Sequence, residues 1–77
     1  MQETLRRLIG QVSPALAGKT LDPSVSLLEL GLDSLDHANL LLAVEEEFSV
    51  KVPDEDAEHL ITMDSLVKFL KDQGIKA

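Results

Sequence analysis

The chain has no cysteine, no tryptophan and no tyrosine, and only two phenylalanines in 77 residues. Without cysteine there is neither a disulfide framework nor a thiolate zinc site. Two histidines, His37 and His59, are too few for an imidazole site without several carboxylates, so no metal is expected. No apolar run approaches the roughly 18 residues of a membrane span. The start, Met1-Gln2-Glu3, lacks the basic and apolar stretches of a signal peptide, so the cytoplasm is the expected compartment. Cations are scarce too: seven Lys and Arg stand against fourteen Asp and Glu. Nucleic acid, whose phosphates demand Lys and Arg, is therefore excluded as a partner. The length allows one domain over 1–77 and little depth for a catalytic pocket, so an enzyme is not expected.

What is present is unevenly placed. From Asp22 to Glu58 there are eleven acids and one base, Lys51; outside that stretch six bases outnumber three acids. Half of the molecule is thus a negative field, which would attract and steer proteins with basic docking patches.

Apolar spacing predicts an all-α fold, a four-helix bundle with a long first connection and a short third helix. Leu5, Leu8, Ile9 and Val12 share one face of a first helix over 2–12, with a further turn possible through Leu16. Gly18 to Ser26 reads as connection, and Leu27, Leu28 and Leu30 as the residues that tuck it onto the core. Asp33 caps a second helix, with Asp36 three residues on as in a capping box. At 100° per residue this helix has two apolar stripes: Leu40, Leu41, Val44 and Phe48, and, roughly opposite, Leu35, Ala38 and Leu42. Only one can face the core of so small a bundle; the other is left for solvent or a partner. A short helix follows Pro53 over about 54–60, and a last one runs from Met63 to about Gln73, with Thr62 as N-cap and Gly74 as stop. Leu66, Val67, Phe69 and Leu70 supply its buried face, and Val50 and Val52 are the only hint of a strand.

The informative segment is Gly31-Leu32-Asp33-Ser34-Leu35-Asp36. It sets a serine hydroxyl in the first turn of a helix, where unpaired N–H groups and the helix dipole favour an anion. With Leu30 before it, Glu45-Glu46-Glu47-Phe48 after it and then Val52-Pro53-Asp54-Glu55-Asp56-Ala57-Glu58, this segment resembles the prosthetic-group region of acyl carrier proteins. The three segments in order, in so short a chain, make the resemblance specific where a lone Asp-Ser-Leu would not.

The resemblance implies that Ser34 receives 4'-phosphopantetheine from coenzyme A through a phosphopantetheinyl transferase, and that an acyl group is then carried as a thioester. It implies that Asp33, Leu35, Asp36, Ala38, Asn39 and Leu42, extended by Glu45, Glu46 and Glu47, meet the transferase and the acyl-loading and acyl-processing enzymes. Asn39 stands where many fatty-acid carriers have glutamate, and His37 where a small polar residue is usual, so the implied pathway is fatty acid synthesis or a specialised acyl or polyketide route. An acyl chain on the arm is expected to enter the bundle, against Leu40, Val44, Phe48, Val52, Ala57, Leu60 and Phe69. Each buried methylene contributes about 0.8 kcal/mol, so six would offset roughly 5 kcal/mol of core opening.

Other readings stay open at this point. An aminoacyl or peptidyl carrier more often has Gly-Gly before the serine motif and less acid after it, and neither trait is here. A helical interaction module without a prosthetic group would use Ser34 merely as a helix-start residue. A homodimer through Leu35, Ala38 and Leu42 competes with the expected monomer. Serine catalysis by Ser34, His37 and Asp36 is disfavoured, because neighbours on one helix diverge and no Gly-x-Ser-x-Gly elbow is present. The acid runs lack the layout of a calcium loop.

Overall fold

The computed structural model describes residues 2–18 and 21–75. Positions 19 and 20, inside the predicted first connection, lie outside the described residues. Among the described residues four α-helices form in chain order: α1 (Gln2–Val12), α2 (Ser34–Phe48), α3 (Asp54–Ala57) and α4 (Met63–Asp72), with a 3-10 turn at Pro14–Leu16. Among the described residues there is no strand, and Val50–Val52 is irregular.

The helices form where apolar spacing meets a start signal. Leu5, Leu8 and Ile9 bury one face of α1. Leu40, Leu41 and Val44 do the same for α2, and Met63, Leu66, Phe69 and Leu70 for α4. These side chains join Leu16, Leu21, Leu27, Leu32 and Leu60 in one core. Val67, expected in that face, is half-buried, whereas Met63 at the first position of α4 is wholly buried. Helix α4 opens on a full capping box: Thr62 Oγ1 accepts from the Ser65 N–H at 3.0 Å and Ser65 Oγ accepts from the Thr62 N–H at 3.1 Å. It ends one residue before the expected Gln73, and Gly74 leaves it at φ +85°.

The long connection is strapped rather than loose. The Leu27 N–H donates to the Ile61 carbonyl at 2.7 Å, and the Asp64 N–H to the Pro23 carbonyl at 3.0 Å. The second bond satisfies an N–H in the first turn of α4 that has no partner within the helix. At the near end, Asp22 Oδ1 accepts from Ser24 Oγ at 2.7 Å and from the Ser24 N–H at 2.9 Å. Those bonds, the hydroxyl's first, hold the Asp22 carboxyl below its ordinary range. Leu27 is wholly buried and Leu30 half-buried, but Leu28 is 44% exposed, against expectation. The turn over Ser26–Leu32 buries Leu27 and Leu32 and leaves Leu28 and Glu29 exposed.

Helix α3 is shorter than expected: it stops at Ala57, and residues 58 and 59 continue as a turn. Its residues Asp54, Glu55 and Asp56 suit a helix N-terminus but offer little to bury, and no α3 residue is fully buried. The end of α2 is also unusual. Ser49 adopts the left-handed conformation at φ 54°, and the Val50 N–H returns to the Glu45 carbonyl at 3.1 Å.

Two stability outcomes follow. Leu66 is wholly buried, so Leu66→Ala should cost about 2–5 kcal/mol in denaturant unfolding, by lost transfer energy and the cavity left. Ser49→Gly removes a side-chain penalty of roughly 1–2 kcal/mol in the left-handed region, partly offset by glycine's freer unfolded state, and should raise the melting temperature by a few degrees.

Candidate functional site

Ser34 is the first residue of α2 and is exposed. Gly31, at φ +120°, delivers the chain to it in a conformation other residues rarely adopt. Leu32 anchors the approach: it is wholly buried, and its N–H donates to the Leu27 carbonyl at 3.0 Å. Asp33 is the N-cap, its Oδ1 accepting from the Asp36 N–H at 2.7 Å, while its carbonyl accepts from the His37 N–H at 2.9 Å. The cap is the expected one, with the bond running one way, from Asp36 to Asp33. N–H groups this early in a helix have no intrahelical partner, so those of Ser34 and Leu35 are left beside the serine hydroxyl.

The two stripes of α2 divide as expected. Leu40 and Val44 are wholly buried and Leu41 nearly so, whereas Leu35 is 69% and Leu42 57% exposed. Ala38 and Asn39 are exposed between them. The stripe therefore starts beside Ser34 and runs down the outer face of α2.

The three consecutive glutamates do not act alike. Glu45 is half-buried and its Oε2 accepts from the Val52 N–H at 2.8 Å, which pins the chain after α2. Glu47 pairs with Arg7 of α1. Glu46 is exposed; at 100° per residue it falls about 40° from Leu42, against about 140° for Glu47. Of the acids expected to border the stripe, Glu46 does so, while Glu47 faces α1. Asp36 is half-buried, about 160° round the helix from Ser34.

Of the expected acyl-chain lining, Leu40, Val44, Leu60 and Phe69 lie in the core, and Phe48, Val52 and Ala57 pack half-buried against it. An open groove of about 370 Å³ runs beside the stripe, lined by Leu28, His37, Ala38, Leu41, Ala57 and Ile61 among others. It begins one turn from Ser34. A larger groove of about 470 Å³, beside Arg6, Gly10 and Leu21, shares no residue with α2.

His37, a surface or boundary residue by its sequence, is half-buried, and its partner is what the sequence did not convey. Its Nε2–H donates to the Leu60 carbonyl at 2.7 Å, a half-buried bond between α2 and the segment joining α3 to α4. The available signal was its register: His37 stands four residues before Leu41 and seven before Val44, on the core-facing row. Among the described residues no group of three His, Asp or Glu could hold a metal ion, and no helix is long and apolar enough to cross a membrane.

Comparison with known proteins points the same way as this geometry. A family profile described as "Phosphopantetheine attachment site" matches residues 3–70. The chain is 43% identical over 72 residues to the mitochondrial acyl carrier protein of Dictyostelium discoideum, a match covering 91% of this chain and 60% of that longer relative. It is 35% identical over 71 residues to the acyl carrier proteins of Phenylobacterium zucineum and Caulobacter vibrioides, covering 92% of this chain and 90% and 91% of theirs. The chain belongs to the acyl carrier protein family, whose members are carriers rather than catalysts and bear 4'-phosphopantetheine as prosthetic group.

Proposed function

We propose that Ser34 is the attachment point of the phosphopantetheine arm and that the chain, as one carrier domain in the cytoplasm, conveys acyl groups between enzymes of fatty acid synthesis or a specialised acyl or polyketide route. The observation that carries this is the exposed Ser34 hydroxyl in the first turn of α2, at the head of an exposed apolar stripe. The neighbouring residues fit a phosphodiester there. The hydroxyl is reachable, and the Ser34 and Leu35 N–H groups, with the positive end of the α2 dipole, favour an anion. When bound, the arm supplies a thiol that holds the acyl group as a thioester.

The chain's own residues present Ser34 rather than activate it. The Asp33 carboxylate is committed to the Asp36 N–H, and the His37 imidazole to the Leu60 carbonyl. Neither side chain hydrogen-bonds to the Ser34 hydroxyl, so the serine proton is left to the partner enzyme. The apolar stripe gives a docking enzyme its register, and the acids around it speed encounter with a basic patch. With the stripe given to docking enzymes, the carrier works as a monomer. Acyl-chain entry against Leu40 and Val44 requires the bundle to open, because neither side chain reaches solvent in this structure.

Intact mass after incubation with coenzyme A and a broad-specificity phosphopantetheinyl transferase tests the assignment. One phosphopantetheine should be gained by the native chain and none by Ser34→Ala; an unmodified native chain would leave a helical interaction module as the better account. In the same assay, Glu46→Lys should slow loading several-fold at low salt, with the difference fading as salt screens the charge. Glu47→Lys should slow it less, because Glu47 faces Arg7.

A further inference from the structure

We propose that His37 is a latch on the seam between α2 and the segment joining α3 to α4, and that it decides whether an acyl chain carried on Ser34 lies in the surface groove or enters the core. This rests on the assignment of Ser34 as the attachment point.

The core-facing row of α2 reads His37, Leu41, Val44, Phe48 at helical spacing. Its only polar member stands at the end nearest Ser34, where a chain leaving that residue must cross to reach Leu40 and Val44. His37 spans the seam there, its Nε2–H donating to the Leu60 carbonyl at 2.7 Å. Leu60 is itself nearly fully buried, and the next carbonyl, that of Ile61, is held by the Leu27 N–H. Two successive carbonyls of the α3–α4 segment are thus tied, one to α2 and one to the long connection. Parting the seam leaves the Leu60 carbonyl without its donor in a half-buried setting, which opposes entry. The groove lined by Leu28, His37, Ala38, Leu41 and Ile61 has the latch in its wall and is already open to the surface. With the latch closed, an acyl chain rests in that groove, accessible to the next enzyme.

The test compares the native chain with His37→Ala and His37→Gln, each prepared with the phosphopantetheine arm alone and with an octanoyl group on it. Intact mass verifies loading and circular dichroism follows melting. The readout is the rise in melting temperature on octanoylation, a difference from which any general loss of stability cancels. Octanoylation should raise the melting temperature of His37→Ala by at least about 4 °C more than that of the native chain. His37→Gln, whose amide nitrogen can donate from the place of Nε2, should behave as native. His37→Thr serves if His37→Ala is unfolded at the outset. Equal rises in the native and truncated chains would overturn the latch and leave the Ser34 assignment standing. A glutamine variant that follows the alanine one would overturn the hydrogen bond as its cause. Failure of the native chain to take the arm would overturn the Ser34 assignment, and the latch with it.

Discussion

Helix α2 carries leucine on two opposed faces, and a chain of 77 residues has interior enough for only one of them. Burying Leu40, Leu41 and Val44 obliges Leu35 and Leu42 to face water. An isolated exposed leucine needs no explanation, but two with Ala38 between them at the head of a helix form a surface suited to transient contact. The rest of the structure follows from holding α2 in that rotation. Helix α1 covers its inner face with Leu5, Leu8 and Ile9, and α4 closes the other side with Met63, Leu66 and Leu70.

Polar groups add direction to this burial. The Asp33 cap fixes where α2 begins, so Ser34 occupies its first turn and not a position before or after it. At the far end, Glu45 spends its carboxylate on the Val52 N–H and so sets the path of the chain toward α3. Glu47 reaches α1 through Arg7; being exposed, that pair contributes little to stability, but it turns one acid away from the exposed stripe. Three adjacent residues of one type thus do three different things, because helical geometry turns each by 100° from the last.

A carrier must expose its attachment point without reacting there. The Asp33 carboxylate and the His37 imidazole, the nearest side chains that could serve as bases, bond to groups that build the fold and not to the Ser34 hydroxyl. The bonds from Leu27 to Ile61 and from His37 to Leu60 fix the segment between α3 and α4, and that from Asp64 to Pro23 fixes the first turn of α4. Helix α3 is four residues long with no fully buried side chain, so its place depends on these bonds more than on its own packing.

Much of this was legible in one dimension. The span of α1, both caps, the stop at Gly74 and the partition of α2 follow from apolar spacing and from residues whose side chains bond their own backbone, information that lies within a few positions of each feature. The family, too, was readable from the Ser34 segment and the acidic stretches after it. Tertiary structure alone decided the rest. Leu28 points outward although Leu27 points in, because the turn that carries them is oriented by Ile61, far along the chain. Glu47 pairs with α1 while Glu46 lies beside the exposed stripe, because Arg7 lies forty residues away in sequence and adjacent in space. His37 reads as a surface or boundary residue, and only the packing sets the Leu60 carbonyl before it. The sequence determined the helices, their caps and the serine at the head of α2, since local geometry suffices for these. Which polar group each side chain meets depends on how the helices pack, and no local pattern contains that.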